Sequence, residues 1–230
     1  MEIFLVGGGR EAKAAHEPFV RACGGGPIVA YALDDADLDV ARWESTLKDA
    51  GATDVTVVPV SPARPPQAAD LQGAAGVYVA GGLTPAYHET MVAGGTEWLD
   101  AARTAGLVYG GFSAGSAIAA EQAIVGGWRT EFQQRTVDVI DSDLAEDLET
   151  LTILPGLGLV PFLVDVHAAQ WGTLYRLTHA VLATGIEGWA IDEGTVLIIS
   201  SDGTPTVQGI GAATHVRRTG PASTAVTVVS

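Results

Sequence analysis

Short apolar runs alternate with longer segments of helical spacing along the first half of this chain. The apolar runs are EIFLVG (2–7), PIVAYAL (27–33), DVTVVPV (54–60), GVYVAGG (76–82) and GLVYGG (106–111). Runs of that length bounded by Gly, Pro and Asp read as strands, and the segments 11–22, 37–49 and 85–104 between them read as helices. A strand that returns through a helix to pair with the next strand must cross over, which gives a parallel sheet covered by helices. The expected fold is α/β, with a mainly parallel sheet and helices on both faces. After about residue 184 the pattern changes. GIEGWAIDEGTVLIIS, PTVQGIGAATHVRR and TAVTVVS are β-rich runs that predict hairpins or a small mixed sheet completing one domain over 1–230. The proline-rich stretch 61–70 reads as a surface loop. The acidic stretch 138–149, DVIDSDLAEDLE, lacks the glycine and spacing of a calcium loop and reads as a solvated loop with a short helix.

Charge and cysteine content narrow the function. The chain carries 27 acidic and 12 basic residues, a net charge of −15. Such a surface repels phosphate backbones, so no nucleic-acid partner is expected, while a small acidic substrate held by a local arginine is allowed. Cys23 is the one cysteine, which excludes an intrachain disulfide and a cysteine metal cluster. No stretch approaches the ~20 apolar residues of a membrane span. The start, MEIFLVGGGREAK, lacks the basic region of a signal peptide. A cytoplasmic protein without membrane partner, metal or cofactor is expected, and a homodimer is left open.

Chemistry is concentrated in YGGFSAGSAIAA (109–120). Gly111-Phe112-Ser113-Ala114-Gly115 has the Gly-x-Ser-x-Gly spacing, an apolar run before it and a small-residue helical run after it. A serine hydroxyl needs a base to become a nucleophile. A sharp strand-to-helix turn exposes that hydroxyl, glycines relieve the crowding, and the following N–H groups point at a developing oxyanion. The alternative is a tight corner with an incidental serine. Gly81-Gly82 ends the preceding strand, so the backbone N–H of Gly82 could join that of Ala114 in an oxyanion hole. Among the histidines His16, His88, His167, His179 and His215, His167 stands out because LVPFLVDVH puts it at the end of an apolar run. No pair has metal-ligand spacing with supporting acids.

A competing signal lies at the N-terminus. Gly7-Gly8-Gly9-Arg10-Glu11-Ala12 satisfies G-x-G-x-x-A after the first strand, and Asp34 and Asp35 follow the second. That is a dinucleotide-binding pattern, with the acid farther on than the usual ~20 residues. A plain tight turn is the other reading of those glycines.

Four segments in order resemble the cyanophycinase and dipeptidase E family of serine peptidases, whose fold is like that of class I glutamine amidotransferases. They are VYVAGGLTPAYHETM, YGGFSAGSAIAA, PGLGLVPFLVDVHAAQWGTLYRL and GWAIDEGTVLII, the last similar to a Gly-x-Asp-Glu strand signature. The resemblance covers about 76–212. It implies that Ser113 attacks an amide carbonyl, that His167 relays the proton, and that Gly82 and Ala114 hold the oxyanion of a small peptide or isopeptide substrate. For the third triad member the family spacing after Ser113 points to Glu131, beyond the GG turn at 126–127. Asp165, Glu121 and the acids of 138–149 are the alternatives. Two departures speak against cyanophycin as substrate. Val166 stands where the family has Gln before the histidine, and Trp171 and Thr173 stand where it has arginines. Trp171 would then offer an apolar wall, and Arg129, Arg135 or Arg176 could hold a substrate carboxylate. The rival functions are an α/β-hydrolase esterase, which shares the Ser…acid…His order, and a non-enzymatic nucleotide-binding module built on 7–12.

Overall fold

The computed structural model describes residues 1–10 and 12–230; Glu11 of the glycine-rich motif lies outside them. Strands β1 (Ile3–Val6), β2 (Ile28–Leu33), β3 (Val55–Val60), β4 (Gly76–Val79) and β5 (Val108–Phe112) are separated by helices α1 (Lys13–Ala22), α2 (Val40–Asp49), α3 (Thr84–His88) and α4 (Glu97–Thr104). All five strands run parallel, in the order β1-β5-β4-β2-β3. Every residue of β1, β2 and β4 is buried, as helices on both faces require, and this is why those runs are continuously apolar rather than alternating. Among the described residues no helix is long and apolar enough to cross a membrane.

Helical bounds depart from the sequence expectation where local chemistry intervenes. The expected helix 37–49 starts at Val40, because the Asp39 side chain accepts from Arg42 N–H and caps it there. The expected helix 85–104 breaks at Gly94-Gly95, where Gly95 has φ +112°, and its first part continues from α3 as a π-turn over Glu89–Ala93. The helix after Ser113 is a single turn, α5 (Ala114–Ala117).

The second half is richer in strands than the sequence suggested. It contains β6 (Gln122–Gly126), β7 (Arg129–Phe132), β8 (Arg135–Asp138), β9 (Thr152–Pro155) and β10 (Leu163–Val166). Helices α6 (Ala168–Trp171) and α7 (Thr173–Thr184) follow, then β11 (Gly188–Ile191), β12 (Thr195–Ile199), β13 (Pro205–Gly209), β14 (Ala213–Gly220) and β15 (Ser223–Val229). Strands β12 and β13 extend the main sheet beyond β1 to seven strands, with β12 antiparallel to both neighbours. A second, four-stranded mixed sheet runs β10-β11-β14-β15. Strands β6 and β9 pair as one antiparallel ribbon, and β7 and β8 as another. The ends of β5, β10 and β11 converge on one edge, and that edge carries the site.

Candidate active site

Strand β5 delivers Ser113 onto a strained corner, with φ 51° and ψ −110°. A non-glycine residue in that region is held there only by its surroundings. The surroundings are two close backbone approaches. A Cβ on Gly111 would lie 2.6 Å from the Gly115 carbonyl, and a Cβ on Gly115 would overlap the Val79 carbonyl. Ser116 donates its hydroxyl to the carbonyls of Val6 (2.9 Å) and Gly111 (2.8 Å), tying the one-turn helix back to the sheet.

Strand β10 delivers His167, which has left-handed backbone angles (φ 56°, ψ 38°) at the entry to α6. Its Nε2 lies 2.9 Å from Ser113 Oγ. Its Nδ1 lies 2.7 Å from Glu193 Oε1, in the turn between β11 and β12. A carboxylate on Nδ1 selects the tautomer with the proton there and leaves Nε2 to accept from the serine hydroxyl. Burial pushes the His167 pKa below the ordinary histidine value, while the Glu193 hydrogen bond and charge oppose that shift. The imidazole is therefore neutral near pH 7 and able to take a proton. Trp171 stacks on the ring at 3.9 Å and 10°, and its backbone N–H donates to the His167 carbonyl at 2.8 Å.

The carboxylate partner of His167 corrects the sequence expectation of Glu131. Glu131 sits on the β7–β8 ribbon, accepts from Thr136 Oγ1 at 2.6 Å and lines a small surface hollow with Arg129, Thr130, Thr136 and Thr150. Strands β7 and β8 pair with each other, with one isolated bridge from Arg129 to Thr150, and Glu131 bonds within this ribbon instead of reaching the histidine. Asp165, an alternative, is also engaged elsewhere: it takes the fork of Arg176, Nε at 2.9 Å and Nη2 at 2.6 Å. The same pair removes Arg176 as a surface anchor for substrate, since it is only 4% exposed. Arg135 is exposed on β8 and does not line the serine's cavity, and Arg129 pairs with Glu149.

Ser113 and His167 open into a cavity of about 720 Å³. Trp171, Leu83 and Phe112 supply apolar wall, and Gly81 and Gly82 line the side next to the serine. Among the described residues, no turn or loop hydrogen bond uses the N–H of Gly82 or of Ala114. The acidic stretch holds the expected short helix, Ser142–Leu144, and its acids other than Glu146 are exposed, but it also borders the site. Ser142–Asp147 forms one wall of the cavity, and Ala145 accepts from Gly127 N–H at 2.9 Å, which ties it to the end of β6. Arg10 is the one cation among the described residues lining the cavity, and its guanidinium lies 4.1 Å above the Trp43 ring. Arg10, Gly81, Gly82 and Leu83 also border a second cavity, of about 450 Å³.

Three functional candidates therefore lay beyond the sequence expectation. Glu193 stands in the Gly-x-Asp-Glu segment that carried the family resemblance, so the signal was present but without a role. Arg10 follows the glycine turn. Glu146 was hidden in a run of acids.

Residues 3–207 match the model of peptidase family S51, the cyanophycinase and dipeptidase E family. The fold is similar to that of a crystal structure of a peptidase from an acI-B1 Actinobacterium, with TM-score 0.66 and 14% identity over 99% of this chain and 94% of that one. It is similar also to a protein from Listeria monocytogenes EGD-e described as a peptidase E, with TM-score 0.60 and 17% identity over 91% of this chain and 98% of that one. No curated protein sequence matches. With a family match over nearly the whole chain, this chain belongs to peptidase family S51 and is a serine-type peptidase.

Proposed function

We propose that this peptidase hydrolyses a small peptide or isopeptide amide through an acyl-enzyme, with Ser113 as nucleophile, His167 as general base and Glu193 as the carboxylate that orients it. The reading rests on one observation, the unbroken chain Ser113 Oγ–His167 Nε2 and His167 Nδ1–Glu193 Oε1, at 2.9 and 2.7 Å. As Oγ bonds to the carbonyl carbon, its proton passes to Nε2, and Glu193 stabilises the imidazolium that forms. The N–H groups of Gly82 and Ala114 take the negative charge on the carbonyl oxygen. Collapse breaks the C–N bond, and the imidazolium returns its proton to the leaving amine. Water, deprotonated by His167, then releases the acid product and restores Ser113.

The substrate side of the proposal rests on the cavity walls. Arg10, stacked on Trp43, places positive charge on the cavity, while Asp143, Glu146 and Asp147 line the acidic wall. A short peptide with both charges suits such a cavity. The Val166, Trp171 and Thr173 departures continue to argue against cyanophycin.

Replacing Ser113 by Ala tests the reading. Turnover of a dipeptide library, β-aspartyl peptides included, falls by roughly 10⁴–10⁶ with the fold intact. A fluorophosphonate labels Ser113 and no other serine. Near-normal turnover by the alanine variant, or labelling elsewhere, overturns it; turnover of esters alone favours an esterase.

A further inference from the structure

The turn Gly81–Leu83 is held from two sides. On one, the Tyr87 hydroxyl reaches the Gly81 carbonyl at 3.4 Å. On the other, a residue distant in sequence closes on Thr84, the first residue of α3. Glu146 accepts from Thr84 N–H at 2.7 Å through Oε2 and from Thr84 Oγ1 at 3.0 Å through Oε1. Both carboxylate oxygens are thus spent on a single residue, two positions beyond Gly82.

The grip is built rather than incidental. Glu146 and its neighbour Asp147 each have φ +59°, a backbone region that side chains other than glycine's rarely enter. A Cβ on Gly126 would lie 2.8 Å from Glu146 Cβ, so the loop packs tightly against the end of β6. Burial pushes the Glu146 carboxyl above its ordinary value, and the Thr84 hydrogen bonds and the Arg176 charge pull against that. Arg176 is itself locked on Asp165, two residues before His167. The Glu146 carboxylate therefore lies in the field of the cation that braces the histidine's strand.

We infer that Glu146 is a positioning residue for the peptidase reaction: by clasping Thr84 through both oxygens, it fixes the Gly81–Leu83 turn and so aims the Gly82 N–H at the oxyanion. The inference rests on the reading of Ser113 as nucleophile and Gly82 as oxyanion donor given above. A donor is worth most when it is already aligned as charge develops, so loosening its turn lowers the rate of the covalent step more than binding.

The experiment follows phosphonylation of the full chain by an alkyl fluorophosphonate, in which the Ser113 Oγ–P bond forms as the Oγ proton passes to His167, the P–F bond breaks and fluoride leaves. The phosphoryl oxygen occupies the oxyanion position. Glu146→Ala lowers the maximal rate of labelling, kinact, on the order of 10²-fold, the lower end of the effect of deleting one oxyanion donor, with KI unchanged. Glu146→Gln, which keeps one acceptor oxygen, restores most of it. Thr84→Val, which removes the hydroxyl bond and keeps the backbone N–H bond to Oε2, lowers kinact by less than Glu146→Ala, and combining the two adds little, because Glu146→Ala already removes the bond that Thr84→Val loses. Unchanged kinact in Glu146→Ala, a loss confined to KI, or full additivity overturns the inference. If Glu146→Ala does not fold, Glu146→Met, similar in length but without an acceptor oxygen, decides, since its unchanged kinact has the same force. Native protein whose Ser113 resists the reagent overturns the nucleophile reading; normal native labelling with an unimpaired Glu146→Ala overturns only the clasp.

Discussion

Gly8 lies against the imidazole of His167: a Cβ on Gly8 would overlap the Nδ1–Cε1 edge of the ring. The surrounding turn is tied to the site by backbone hydrogen bonds, His167 N–H to the Gly7 carbonyl and Gly194 N–H to the Gly8 carbonyl, both at 2.8 Å. The glycines that resemble a dinucleotide motif are thus needed for close approach to the protein's own histidine and to the Glu193 turn. Gly8→Ala, with φ +129° and no room for a methyl group, displaces the ring. An ångström of misplacement costs about 10²-fold in kcat/KM. NAD and NADP leave the melting temperature of the native protein unchanged. Turnover assays and thermal shift check both statements, and full activity in Gly8→Ala contradicts the packing argument.

Glu193→Gln and Glu131→Gln separate two carboxylates. An amide at 193 can present its NH₂ to Nδ1 and favour the wrong tautomer, so kcat drops by roughly 10⁴ while the fold persists. Glu131 bonds to Thr136 on an exposed ribbon, and its amide variant keeps near-native turnover. The opposite ranking in steady-state kinetics would return the triad acid to Glu131.

The pH profile follows from His167. Its pKa is lowered by burial, so the neutral base persists below the usual histidine range, and kcat/KM rises with pH through that lowered value and is flat by neutrality. Glu193 raises this pKa, so Glu193→Gln moves the acid limb to lower pH still. The same sign governs stability: the unfolded chain binds the His167 proton first as pH falls, so that contribution is lost below the ordinary histidine range. A limb above the ordinary value excludes burial as the dominant effect.

Arg10→Ala separates binding from chemistry. A charged hydrogen bond to a carboxylate is worth about 1.5–3 kcal/mol, so KM for a carboxylate-bearing peptide rises about 10- to 150-fold. Labelling of Ser113 by an uncharged alkyl fluorophosphonate is unchanged. Equal losses in both assays would mean that Arg10 supports the site's structure instead.

Strong local patterns were legible without coordinates. Continuous apolar runs such as IVAYAL can be satisfied only between two helix layers, and the Gly-x-Ser-x-Gly spacing allows the corner at Ser113 because both glycines lie under backbone. His167 at the end of an apolar run marked a strand end facing the same edge. Spacing along the chain was a poor guide where the intervening segment folds away. The family spacing after Ser113 pointed to Glu131, but strands β6–β9 and β7–β8 pair as two ribbons, and the turn after β11 puts Glu193 on His167 instead.

Burial decided the remaining roles. Arg176 and Arg10 are the same residue type, yet pairing with Asp165 seals one inside while Trp43 and the glycine turn hold the other at the cavity. The acids of 138–149 look alike as a charge run, and burial against Thr84 distinguishes Glu146 from its exposed neighbours. By itself, then, the sequence determined the parallel sheet, the serine corner and the histidine's strand end, because each follows from periodicity or from contacts a few residues apart. The tertiary structure alone decided which carboxylate lies on the histidine, which arginine faces the cavity and which acid bonds Thr84, because each depends on contacts between segments far apart in the chain.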